Sequence, residues 1–147
     1  MGRVIAIDYG RKRCGIAVTD PLQISANGLP TQRACDLMGW LQEYCGREDV
    51  ERIVVGLPKT LRGEPSESAR YIEPFLKHLA RVLPDMTVER FDERFTSTIA
   101  HREMIAGGVK RSARQQKDLA DKTAAVIILT DWLNSRQRMG VNFDNQL

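Results

Sequence analysis

Val4-Ile5-Ala6-Ile7-Asp8-Tyr9-Gly10 is the stretch on which the fold of this chain turns. Four apolar residues in a row, without alternation, read as a strand buried on both faces, and such strands belong to α/β sheets. Asp8 closes the run, where an ionised carboxylate loses hydration and gains from a nearby cation. Taken alone, Asp8 followed by Tyr9-Gly10 equally suits a turn, because a second strand-like run, Cys14-Gly15-Ile16-Ala17-Val18, follows closely.

Working outward, a weaker segment near Leu29 to Gln32 predicts a third strand, and the short connections predict an antiparallel meander. Leu37, Trp40, Leu41 and Tyr44 recur at helical spacing over Asp36–Tyr44. Ile53-Val54-Val55, ended by Gly56-Leu57-Pro58, predicts a buried parallel strand after that crossover helix. Residues 59–67 read as a loop with Ser66 as a helix cap. Ala69, Ile72, Leu76, Leu79 and Leu83 mark the next helix, in which Pro74 either introduces a kink or opens a second helix. Thr87 to Phe91 predicts a strand near the sheet edge, since Glu89 and Arg90 interrupt it, and Asp92 ends it. A helix begins at Thr96 or Ser97 and stops at Gly107-Gly108. After a basic stretch, Lys110 to Lys117, a last helix is predicted from about Asp118 to Arg138.

The chain has 147 residues, 42% hydrophobic and 28% charged, which fits one globular domain, residues 1–147, with a core of its own. No apolar stretch approaches the roughly 18 residues of a membrane span, and the amino-terminal run is too short for a signal peptide. A cytoplasmic protein without a membrane partner is expected. Three cysteines, Cys14, Cys35 and Cys45, lack the spacing of a metal knuckle, so free thiols are expected rather than disulfides or zinc. A net charge of +3 is too small to establish a nucleic-acid partner; local clustering carries more information.

Acids recur where a core would prefer carbon. Asp121 shares a helical stripe with Ala124, Ala125, Ile128 and Trp132, and Asp118 lies one turn earlier on the same side. Either acid also suits the first turn of a helix, beside the macrodipole. Asp92 and Glu93 follow a strand, where pairing with Arg94 on the surface is the alternative. Asp8, Asp92 and Asp121 come from three elements that an α/β sheet brings together near the carboxyl ends of its strands, a costly cluster unless metal ions neutralise it. Oxygen donors without accompanying His or Cys favour Mg2+ or Mn2+ over zinc. Two such ions about 4 Å apart can activate a water and stabilise a leaving oxygen, which points to phosphodiester hydrolysis.

The four segments Ile5-Ala6-Ile7-Asp8-Tyr9-Gly10, Ile53-Val54-Val55-Gly56-Leu57-Pro58, Asp92-Glu93-Arg94-Phe95-Thr96-Ser97 and Asp121-Lys122-Thr123-Ala124-Ala125 resemble, in order and across nearly the whole chain, the YqgF family, also called RuvX. The resemblance implies an α/β, ribonuclease H-like fold related to the RuvC resolvases. Its central five-stranded mixed sheet would have three antiparallel strands, then two parallel ones, with flanking helices. It implies a nuclease that matures the 5′ end of pre-16S ribosomal RNA, with Holliday-junction resolution as the alternative. By position, Asp8 and Asp121 would bind metal and Asp92-Glu93 would supply a third carboxylate, with Asp92 preferred; Asp118 could supply a fourth. RuvC-type enzymes carry a glutamate at the end of the fourth strand, where this chain has Gly56-Leu57-Pro58.

Arg11 and Lys12, with Arg13, follow the candidate catalytic turn, and Lys59 and Arg62 extend from the strand expected beside it. Arg94 and the run Lys110, Arg111 and Arg114 complete a basic set suited to phosphates, contacts that position a strand without reading its sequence. A solvated hairpin tip and linker are the alternatives. The expected partner is structured RNA, a precursor rRNA or ribosomal particle, or else branched DNA, bound by a monomer or a homodimer. A binding factor without catalysis, and an actin-like ATPase, are the other classes; the latter lacks a convincing phosphate loop. His78, His101, Met104, Trp40 and Trp132 are assigned to surface or packing.

Overall fold

The computed structural model describes residues 2–57, 69–92 and 124–136. In chain order these form β1 (Arg3–Asp8), β2 (Arg13–Thr19), β3 (Ala26–Arg33), α1 (Ala34–Arg47), β4 (Val50–Leu57), α2 (Ala69–Val82), β5 (Thr87–Asp92) and a helix, α3, over residues 124–136. The strands make one five-stranded sheet in the order β3-β2-β1-β4-β5. Pairing is antiparallel from β3 through β2 to β1, then parallel from β1 to β4 and from β4 to β5. This is the expected mixed sheet.

Why β1 lacks alternation is visible in its surroundings. Ile5 and Ile7 join a core with Ile16, Ile53, Val55 and the buried faces of α1 and α2, including Leu37, Leu41, Phe75 and Leu79. Val4 and Ala6 point to the opposite face, against Val54 and the α3 residues Ala125, Ile128, Leu129 and Trp132. All four residues of the run are fully buried, so each side of the strand is an interior. At the start of β1 the Val4 N–H donates to Thr19 Oγ1 of β2 at 2.9 Å.

Several elements differ in extent from the sequence reading. β3 is longer than Leu29–Gln32, and Pro30 is accommodated because the β2–β3 register shifts between Cys14 and Ile16, leaving Pro30 and Thr31 opposite Gly15 alone. α1 exceeds its apolar stripe at both ends. Pro74 lies inside a single helix, whose stripe Ile72, Phe75, Leu76 and Leu79 stays buried on the sheet, so tertiary packing outweighs the lost backbone hydrogen bond.

β5 is an edge strand of the sheet, and its two charges have partners on opposite faces. Glu89 accepts from Trp132 Nε1 at 2.7 Å and from Arg52 at 3.2 Å, whereas Arg90 makes a two-pronged contact with Glu73 of α2 at 2.6 and 3.1 Å. His78 is exposed and Trp132 is buried, as expected; Trp40 is half-buried, stacked on Tyr44 at 4.9 Å. The three cysteines are free thiols. Among the described residues no helix is long and apolar enough to cross a membrane. The predicted loop after β4, the helix from Thr96 or Ser97, and the first turn of the last helix lie outside the described residues, as do His101 and Met104.

Candidate active site

β1, β4 and β5 run in the same direction, so their carboxyl ends share one edge of the sheet. Asp8 sits at that end of β1, opposite Gly15 of β2, and only 6% of its surface is exposed. Alternation along β1 gives it the register of Val4 and Ala6, the face covered by α3. Next to it on β4 stands Gly56, in the register of Val54, and Gly56 in turn pairs with Phe91 of β5. The row across the α3 face is therefore Asp8, Gly56, Phe91. Gly56, in the middle of that row, contributes no side chain beside the buried carboxylate.

Asp92 pairs with Leu57 one step further along, two strands and so about 10 Å across the sheet from Asp8. It occupies the register of Val88 and Arg90, the alternate set to Glu89 and Phe91. α3 brings Ala124 and Ala125, both fully buried, against the sheet, and these small residues permit the close approach that the sequence suggested. Asp118 and Asp121 precede the described part of this helix. Glu93, Arg94, Lys59, Arg62, Lys110, Arg111 and Arg114 also lie outside the described residues. Among the described residues no three His, Cys, Asp or Glu side chains converge as a metal site.

The turn after Asp8 is built from backbone constraints. A Cβ at Gly10 would run into the carbonyl oxygen of Arg13, so only glycine fits this path. The Lys12 carbonyl accepts from the Ala34 N–H at 2.8 Å, which ties the turn to the start of α1. The Cys14 thiol donates weakly to the Gly10 carbonyl at 3.6 Å. Arg11 and Lys12 are left exposed at the tip, on the same edge as Asp8.

Tyr9, next to Asp8, belongs to the opposite face, where its ring stacks on Phe75 of α2 at 4.6 Å between centroids. Burial raises its phenol above the ordinary value, with a smaller contribution from Cys14. One helical turn earlier, the Tyr71 ring lies 5.1 Å from the Arg11 guanidinium carbon. The sequence reading missed Tyr71 and Phe75. Their four-residue spacing was the available signal, masked by the aliphatic stripe beside them.

The site is thus a buried acid at the carboxyl end of the first strand, in the register of the sheet face against which α3 packs. Residues 2–135 match the family described as RuvX, Holliday junction resolvase. The chain belongs to the RuvX family. A RuvX relative from Parabacteroides distasonis, named "Putative pre-16S rRNA nuclease", is 50% identical over 137 residues, 93% of this chain and 98% of that protein. A Flavobacterium johnsoniae protein of the same name is 46% identical over 137 residues, 93% of this chain and 99% of its own. Among solved structures, Thermus thermophilus RuvC in complex with a Holliday junction substrate aligns with a TM-score of 0.58 at 20% identity, covering 93% of this chain and 96% of that one. That likeness shows the fold: a five-stranded mixed sheet of the RuvC, ribonuclease H-like kind. Membership of RuvX makes this chain one of a family of nucleases.

Proposed function

We propose that the protein is a cytoplasmic, divalent-metal-dependent endonuclease that matures the 5′ end of pre-16S rRNA. The observation that carries the reading is Asp8: a carboxylate 6% exposed at the shared carboxyl edge of β1, β4 and β5, just ahead of two exposed cations. The substrate assignment rests on the names of relatives at about half identity over nearly the full chain.

A hard cation fits this site, because a carboxylate deprived of water is stabilised by a divalent ion and oxygen is the donor such ions prefer. Asp8 and Asp121 would hold it, with Asp118 as a further donor and Mg2+ or Mn2+ as the ion. The third carboxylate comes from the Asp92-Glu93 pair. When bound, the metal supplies acidification of a water and charge stabilisation at the leaving oxygen. Arg11 and Lys12 hold the phosphate backbone of the strand, joined by Lys59, Arg62, Arg94, Lys110, Arg111 and Arg114, and do so without reading sequence.

The test offers purified protein, with Mg2+ or Mn2+, a precursor rRNA and a four-way DNA junction. Cleavage of the rRNA is expected, and Asp8→Asn lowers it about a hundredfold or more while binding stays nearly intact. Unchanged processing by Asp8→Asn would instead indicate a binding factor. Whichever of Asp92→Asn and Glu93→Gln matches Asp8→Asn identifies the third carboxylate. A second reading, junction resolution, is favoured by the family description and by the fold shared with RuvC. Cutting of junctions alone, by a dimer seen in sedimentation, would replace the rRNA assignment.

A further inference from the structure

We propose that Tyr71, with Arg11 stacked on it, is a binding site for an unpaired nucleobase of the substrate. The inference rests on the nucleic-acid reading above and specifies which part of the substrate the protein selects.

Two aromatic contacts join the turn after Asp8 to the first half of α2. In the lower one, Tyr9 stacks on Phe75 with ring planes 24° apart, and Phe75 is only 7% exposed. In the upper one, one helical turn nearer the start of α2, Arg11 lies over Tyr71. Both members of this upper pair face solvent: Arg11 is exposed, and Tyr71 is 38% exposed, one of three exposed large apolar side chains among the described residues. The buried stack fixes the spacing between turn and helix, and Gly10 together with the Lys12–Ala34 hydrogen bond fixes the path of the turn. The upper pair is thus presented on a rigid base, so little conformational freedom is lost when a ligand binds.

An exposed phenol ring beside a guanidinium has the chemistry of a base-stacking platform. The ring offers a π-face, the guanidinium adds a cation–π contact with a base and an attraction to the adjoining phosphate, and every base has a face to offer. Within a duplex both faces of a base are covered by its neighbours, so this site accepts only a nucleotide outside the helix. Its position gives the relation to the chemistry. Asp8 ends β1 on the α3 face and Tyr9, the next residue, packs on the α2 face, so the base docks at the same sheet edge as Asp8 but on the α2 face. It belongs to a nucleotide flanking the cut, not to the one being cut.

The experiment uses the full chain and fluorescence titration with two RNAs of equal length, one single-stranded and carrying a fluorescent purine analogue, the other fully duplex. Tyr71→Ala is expected to weaken binding of the single strand about tenfold and to leave duplex binding within about twofold. The salt dependence stays unchanged, because no phosphate contact is removed; Arg11→Gln lowers the salt slope by about one for both RNAs. Tyr71→Phe retains binding and fluorescence quenching. Tyr71→Leu keeps the apolar contact without the ring, and it repeats the loss if stacking is the cause, which guards against a misfolded alanine variant. An equal loss on both RNAs, no loss on either, or full binding by Tyr71→Leu overturns the stacking site while leaving the nuclease assignment standing. Failure of the unsubstituted protein to bind either RNA removes both. A single-stranded DNA of the same sequence, bound with the same dependence on Tyr71, assigns recognition to the base and not to the ribose.

Discussion

Gly10 shows how one hydrogen atom in place of a methyl group positions chemistry. The chain must fold back within five residues of Asp8 so that β2 can pair with β1, and the Arg13 carbonyl occupies the space a side chain at position 10 would need. Gly10→Ala is therefore expected to cost about 1–3 kcal/mol, as overpacking against fixed backbone does. Urea unfolding measures it, and a cost below a few tenths of a kcal/mol would show that the turn yields. Residues of this kind differ in how legible they are. Asp8 stood out because an acid ended an apolar run, and Gly10 as turn punctuation. Glu89, by contrast, looked like an interruption of a strand. Its partner Trp132 is 43 residues away in sequence, and no local pattern announces so distant a hydrogen bond. Tyr71 was overlooked for the opposite reason: amid a strong aliphatic stripe, an aromatic one position outside it reads as filler.

At the scale of elements, the turn between β2 and β3 is organised by Asp20. Its Oδ1 accepts from the backbone N–H groups of Ile24 at 2.7 Å and Ser25 at 2.9 Å, and Gln23, just before them, takes a positive φ of 58°. These bonds, that of Ser25 foremost, hold the Asp20 carboxyl below its ordinary value of 3.8, against an opposing contribution from desolvation. A depressed folded value favours the ionised form in the folded state. Its stabilisation is fully present above the ordinary carboxylate range and is lost as pH falls through the lowered value. Asp20→Ala is accordingly expected to melt earlier than the unsubstituted protein at pH 7, with the difference shrinking in strong acid. An equal gap at both pH values would show that the bonds do not depend on charge. Element boundaries followed the same logic of what is local. β1 and β4 were read correctly because burial on both faces leaves a continuous apolar run. β3 was read short because Pro30 resembles a terminator until its bulge opposite Gly15 is seen. Asp118, Asp121 and the residues just after Asp92 fall outside the described residues, so there the reading of the acids rests on sequence periodicity and family likeness.

For the whole molecule the organising fact is a sheet with two interiors, one shared with α1 and α2, the other closed by α3. β1 is flanked by β2 and β4 and buried on both sides, whereas β3 and β5 lie at the sheet's edges. Amides of β1 are expected to exchange with deuterium only through global unfolding, and outward-facing amides of β3 through smaller openings. Mass-spectrometric exchange checks this; protection of β3 equal to that of β1 would mean that the sheet opens only as one unit. The general class was readable because β1, β4 and the helical stripes repeat with plain periodicity. The pairing of Asp8 with the α3 face needed the register, which sequence alone does not carry.

The closure of that second interior by α3 also sets a timetable. A chain leaves the ribosome amino end first, so Asp8 emerges roughly ten seconds before residues 124–136 at ordinary rates of synthesis. Throughout that interval the face of β1 that bears the acid has no cover, and the helix that follows Asp121 has not been made. On the nuclease reading proposed above, a nascent chain assembled in this order stays harmless until residues 124–136 have joined the sheet.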